Sequence, residues 1–171
     1  MDDLDSLREE YLDLRQRSEG AALATLDSDG FPSASYAPLC WLDGRAYLFV
    51  SDLSEHTQNL KRNPAIGLIV VDEVDRGGNA FVRRRLSLRG QARLVARDDG
   101  VFEAALAEFR RRFGEVVELL ESLPDFHLFA LHFEHGRYIR GFGQAYDLSG
   151  DGLQQLTHIH PGKADDSKQG S

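Results

Sequence analysis

Three stretches carry side chains of types and spacings that suit chemistry. The first is Ser51 to Pro64, SDLSEHTQNLKRNP, in which Ser51, Ser54, His56 and Thr57 surround the start of a short predicted helix. Ser54 can cap that helix, whose first backbone N–H groups have no partner within it. Orphan donors and the helix dipole both favour a phosphate or carboxylate there. A plain capped surface helix is the competing reading. The second stretch is Arg83-Arg84-Arg85 in FVRRRLSLRG. On a strand, Arg83 and Arg85 share one face and Arg84 takes the other. Two guanidinium groups on one face can hold a phosphate or propionate by paired, charge-assisted bonds. Charged residues that protect a strand edge would read the same way. The third is His158-x-His160, which on an extended segment puts both imidazoles on one side. That spacing suits a metal, though one pair without carboxylates is a weak signature.

Several chemistries find no support. Serine, histidine and aspartate are present without a nucleophile elbow, and neither G-x-G-x-x-G nor a Walker sequence occurs. His127 and His132, five apart on a predicted strand, point to opposite faces. The single cysteine, Cys40, excludes an internal disulfide framework and a multi-cysteine metal cage.

The elements that must position these residues follow from periodicity. Leu4, Leu7, Tyr11 and Leu14 form one apolar stripe of an N-terminal helix. Strands are expected at 22–26, 33–40 and 46–50, joined by the Asp29-Gly30 and Asp43-Gly44 turns. The Ser51–Pro64 stretch comes next, then the most apolar strand, 65–71, and a polar loop over 72–79. One long strand or two over 81–95 should bend at Gly90. Asp98 or Asp99 caps a helix that Gly114 interrupts, and apolar residues continue to Pro124. Two last strands, 126–133 and 137–142, would meet at a Glu134-His135-Gly136 turn. Short strands with glycine turns and a few helices indicate a mainly β protein, a small barrel with helical decoration.

The chain has 171 residues, 42% hydrophobic and 28% charged, with a formal net charge of −8. That length predicts one domain with a real core. The acidic balance argues against nucleic-acid binding. MDDLDSLREE lacks the apolar core of a signal peptide, and no apolar run approaches the roughly 20 residues that cross a bilayer. A cytoplasmic protein, with neither nucleic acid nor membrane as partner, is the expectation.

In this order, Ala24-Thr25, Ser35-Tyr36-Ala37-Pro38, Ser54-x-His56-x-x-Asn59-Leu60-x-x-Asn63-Pro64 and Arg83-x-Arg85-Leu86 resemble the split barrels of the pyridoxamine 5'-phosphate oxidase-like, FMN-binding superfamily. Arg112-Phe113-Gly114-Glu115, Asp125-Phe126-x-Leu128-Phe129 and Gly141-Phe142-Gly143-Gln144-Ala145-Tyr146 narrow the likeness to the HugZ/HutZ haem-utilisation family. The resemblance covers about 22–156 and implies an antiparallel Greek-key split barrel at 21–157, an N-terminal helix over 1–20 and a C-terminal tail over 158–171. It implies a homodimer with its sites at the interface. Haem is the leading cofactor: His56 and Arg85 would face its propionates, and Asp125 would support an axial histidine from the partner's C-terminal segment. Ungapped counting puts that ligand near Gly162-Lys163, where lysine is no substitute, so His160, or else His158, is the expected ligand. A reductant and oxygen would then open the haem. FMN is the alternative, its phosphate held by Ser51, Ser54, His56 and Arg85 in an oxidoreductase, with Thr57, Arg83 and Tyr36 also counted among the cofactor contacts. A non-catalytic haem carrier is the third reading. The electron donor is not specified.

Overall fold

The computed structural model describes residues 3–73 and 79–160. It opens with α1 (Asp3–Arg17), whose Leu7, Tyr11 and Leu14 are buried while Leu4 stands exposed. The apolar stripe therefore begins one turn later than its spacing suggested. Strands β1 (Gly20–Leu26), β2 (Pro32–Leu42) and β3 (Arg45–Ser51) follow as an antiparallel meander. After α2 (Glu55–Arg62) come β4 (Ala65–Val71) and β5 (Arg85–Val95). Helices α3 (Gly100–Phe113) and α4 (Val116–Glu121) precede β6 (Phe126–Gly141), β7 (Gln144–Ser149) and β8 (Gln155–His158).

The strands form one sheet in the order β3-β2-β1-β4-β5-β6-β7-β8, and a β3–β6 pairing closes the first six into an antiparallel barrel. This is the split barrel expected from the resemblance. Leu23, Leu48, Leu68, Leu88 and Leu131 fill its interior, and α1 covers one opening. A second core lies outside, where Phe102, Leu106 and Phe109 of α3 pack on Tyr47, Phe49 and Leu128. Burial there pushes the Cys40 thiol up to about 12, which keeps it protonated. Arg112 ties α3 to the N-terminal region by donating to the carbonyls of Gln16, Ser18 and Leu39.

Several local expectations hold. Asp99 caps α3 by accepting from the Val101 N–H at 2.9 Å, and Gly114 ends that helix with φ 77°. The sheet register shifts between Arg89 and Gly90, the bend predicted there.

Two expectations are corrected. The proposed pair of final strands is one continuous strand, β6, running straight through Glu134-His135-Gly136. Gly136 stays extended because Leu88 and Leu148 pack over it: a Cβ at that position would lie 2.8 Å from Leu88 Cδ2 and 3.0 Å from Leu148 Cδ1. The turn falls at Phe142-Gly143 instead, with Gly143 at φ 68°, and leads into β7 and β8. The long strand over 81–95 also starts late: Ala80–Val82 is a 3-10 turn and β5 begins at Arg85. The polar loop over 72–79 and the tail from Lys163 fall largely or wholly outside the described residues. No helix among the described residues is long and apolar enough to cross a membrane.

Candidate functional site

Where β3 ends, the chain builds a polar corner. Ser51 Oγ donates to Asp125 Oδ2 at 2.6 Å and accepts from the Leu53 N–H at 3.1 Å. The Asp52 N–H donates to the Asp125 carbonyl at 2.8 Å, so backbone and side chain together fix Asp125 just ahead of β6. Ser54 occupies the N-cap of α2 in an extended conformation, but its hydroxyl makes no capping bond. The cap expected from the sequence is right in place and wrong in mechanism, since the Ser54 carbonyl, not its side chain, meets the first turn. That hydroxyl is left for another partner.

His56 points inward. It is 6% exposed, its Nδ1 lies 3.0 Å from Ser35 Oγ, and its Nε2 is buried without a partner. Thr57 is fully buried with its hydroxyl likewise unpartnered. Asn59 extends the buried polar line, donating to Thr25 Oγ1 at 3.0 Å and accepting from Arg62 at 2.7 Å. Burial lowers the His56 pKa below its ordinary 6.5, with Glu55 opposing weakly. As pH falls through 6.5, the unfolded chain gains a proton that the folded chain refuses. Stability should therefore decline below 6.5 and level off once pH passes the folded value. His56→Gln should flatten that decline, which urea midpoints between about pH 7.5 and about pH 5 would check.

A cluster that the sequence did not suggest joins the same corner. Asp52 accepts from Lys61 through Oδ1 and faces His127 Nε2 at 2.9 Å through Oδ2. Lys61 Nζ lies 3.1 Å from the same His127 nitrogen. Hydrogen bonds from Lys61, and then from His127, hold the Asp52 carboxyl below its usual range. Only the β3–β6 register, with Val50 opposite His127, brings these residues together.

The arginines lie elsewhere. Alternation turns Arg85 to the outer face of the barrel, where it shares a surface with Ala22, Ala24, Ala34, Tyr36 and Gly67. Its one hydrogen bond goes to the Arg83 carbonyl at 3.0 Å, and no carboxylate pairs with it among the described residues. Arg84 turns the other way, 3.0 Å from the buried Asp72 carboxylate that Arg17 approaches at 2.7 Å. Arg83 precedes the strand with its Nε buried. Tyr36 is 63% exposed, on the opposite side of β2 from Ser35 and His56.

His158 and His160 lie at the far edge of the sheet, both exposed, their rings edge to face at 4.4 Å. His158 pairs with Tyr146, which pairs with Tyr138 of β6. Most of β6, from Phe126 to Tyr138, therefore lies between their end of the sheet and Asp125 in the same chain. No group of three or more metal-binding side chains occurs among the described residues. Lys163, at the position expected for the ligand, lies outside them.

The family model for pyridoxamine 5'-phosphate oxidase matches residues 7–140. The chain belongs to this family. Within it, the heme oxygenase HutZ of Vibrio cholerae is 35% identical over 156 residues, 91% of this chain and 89% of that protein. A crystal structure of HutZ, described as the heme storage protein from V. cholerae, superposes with a TM-score of 0.69 at 32% identity, covering 74% of this chain and 89% of that one. ChuZ of Campylobacter jejuni gives a TM-score of 0.82 at 31% identity over 91% of this chain, which spans 63% of the ChuZ chain. A heme binding protein from Mycobacterium smegmatis gives 0.73 at 25% identity, covering 80% of this chain and 55% of that one. Family membership accounts for the barrel.

Proposed function

We propose that this protein binds haem for haem utilisation and can support its oxidative opening. The observation that carries the reading is Asp125, locked by Ser51 through one carboxylate oxygen, which leaves the other to orient an imidazole. A carboxylate so held fixes the ring position and raises the basicity of a metal-ligating histidine. The described histidines of the C-terminal segment, His158 and His160, sit by the opposite end of β6 in the same chain. A second copy is therefore needed to bring imidazole and carboxylate together, which supports a homodimer with two shared sites. The outer face of β1, β2 and β4 presents Ala22, Ala24, Ala34 and Gly67 beside Tyr36, small residues against which a partner or a planar cofactor can lie.

The donor set fits haem. Arg85, without a carboxylate partner, is available to a propionate, and the Ser54 hydroxyl at the start of α2 offers a second anchor. Bound haem would supply a redox-active iron at which oxygen and electrons from a donor can meet. The chain's own part would be to hold the propionates at Arg85 and the α2 corner, to orient the iron-binding imidazole through Asp125, and to shield the group with small residues. The relatives named for heme oxygenase, heme storage and heme binding span both the catalytic and the carrier form of this reading.

FMN in the same family's oxidoreductase role is the second reading. The uncapped start of α2 favours it, since a compact phosphate suits open N–H groups and a free hydroxyl. Titration of the purified protein with haem and, separately, with FMN decides between them. The expected result is a saturable Soret band with haem and no retained flavin. Retained flavin without a Soret band would favour FMN, and uptake of neither would refute both readings. Consumption of the Soret band on adding reductant and oxygen separates an oxygenase from a carrier.

A further inference from the structure

The seam that closes the barrel runs only partway along β6. One edge of β6 pairs with β3 as far as Leu131, and β7 takes it over only from Gly136. Helix α1 lies across the gap, anchored where Tyr11 donates its hydroxyl to the Leu153 carbonyl at 2.9 Å. Under it remains a cavity of about 350 Å³, at the lower end of the range for small-molecule sites. Its floor is apolar, formed by Leu88, Leu131 and Leu148 from the barrel core. Its rim carries Arg8, Arg15 and Arg45.

Arg15 is the telling residue. Its guanidinium carbon lies 4.4 Å from the centroid of the Trp41 ring, and Trp41 in turn packs against Phe133 at 6.0 Å. Asp43 also lines the cavity, yet neither Arg15 nor Arg45 forms an ion pair among the described residues. Arg8 donates to Gln154, a neutral partner. Burial lowers the Arg15 pKa, the mark of a cation desolvated without a carboxylate to compensate it. Comparable arginines elsewhere have carboxylates: Arg17 has Asp72, Arg110 has Glu121 and Arg140 has Glu10. In a chain with 28 acidic and 20 basic residues, three arginines line this cavity against one carboxylate, Asp43, that forms an ion pair with none of them.

We propose that this cavity is a second binding site, for a small aromatic carboxylate. The ring would lie on the leucine floor beside Trp41, and the carboxylate would be held by Arg15 and Arg45. The site is separate from the haem corner: β3 carries Arg45 at the cavity and Ser51 at the corner, about 20 Å apart. Leu86, which lines the cavity, points inward, whereas its neighbour Arg85 points outward. The proposal therefore does not depend on which cofactor the protein takes.

Trp41 is the chain's single tryptophan, so its emission reports on this cavity alone. Haem-free full-length protein is titrated with benzoate, with acetate, and with chloride at matched ionic strength. Benzoate should change the emission saturably, and acetate should bind about tenfold more weakly or not at all. Arg15→Gln should weaken benzoate by about tenfold, and Arg45→Gln serves as the second variant if loss of Arg15 loosens α1. Benzoate should leave the Soret band of haem-loaded protein unchanged. Absence of a saturable change, equal response to acetate, or unchanged affinity in both variants would overturn the site, and displacement of haem by benzoate would overturn its separateness.

Discussion

Arg85→Glu is expected to weaken haem binding by about 10- to 100-fold while leaving thermal stability close to that of the unsubstituted protein. The size follows from what Arg85 does and does not touch. Its guanidinium gives one bond to the Arg83 carbonyl and none to a carboxylate, so the folded chain loses little when it is replaced. A propionate lying on the outer face would lose charge-assisted hydrogen bonds worth about 1.5–3 kcal/mol and gain a like charge instead. Soret-monitored titration reads the affinity, and a thermal melt of the same sample shows that the barrel is intact. Unchanged haem affinity in a folded variant would remove Arg85 from the site.

The largest effect on stability is expected at Gly90. A Cβ added there would sit 1.9 Å from the His132 carbonyl oxygen and 2.7 Å from Phe133 Cα. Both obstacles are backbone atoms of the neighbouring strand, so no rotamer change can relieve them. The bulge between Arg89 and Gly90 lets β5 bend across β6, and alanine would force that ladder apart. Gly90→Ala should cost about 3 kcal/mol or more, which for a chain of this size lowers Tm by roughly 10 °C. Gly100→Ala is the control, because nothing lies within 4 Å of its added Cβ. A Tm for Gly90→Ala equal to that of the control would contradict the close strand approach.

The barrel strands were legible because their signals are local. Asp29-Gly30 and Asp43-Gly44 mark turns by chemistry within a few residues, and the 65–71 run is apolar throughout. Gly136 was misread because its role is not local. Glycine after Glu134 and His135 resembles a turn, whereas in the fold its missing side chain admits Leu88 and Leu148 from two other strands. The same limit hid β7 and β8, whose sequences alternate weakly and whose pairing depends on β6 continuing past the supposed turn. At the candidate site, the β3–α2 corner could be read from its hydroxyls and histidine. Its partners could not: Ser51 meets Asp125 and Asp52 meets His127 only through the β3–β6 register. That His56 faces Ser35 inside the barrel, while Tyr36 and Arg85 share the outside, likewise follows from strand pairing and not from residue type.

Under the proposed function, one chain's Asp125 orients the iron ligand carried by the other chain's C-terminal segment. Co-expression of an Asp125→Asn chain with a His158→Ala/His160→Ala chain tests it, with the iron–imidazole stretch of the ferrous haem complex as the readout. Each substituted homodimer lacks one half of every site, but the mixed dimer regains one complete site if the halves come from different chains. The unsubstituted signal should return in the mixed dimer and be absent from both homodimers. A mixed dimer with no recovered signal would contradict the shared site.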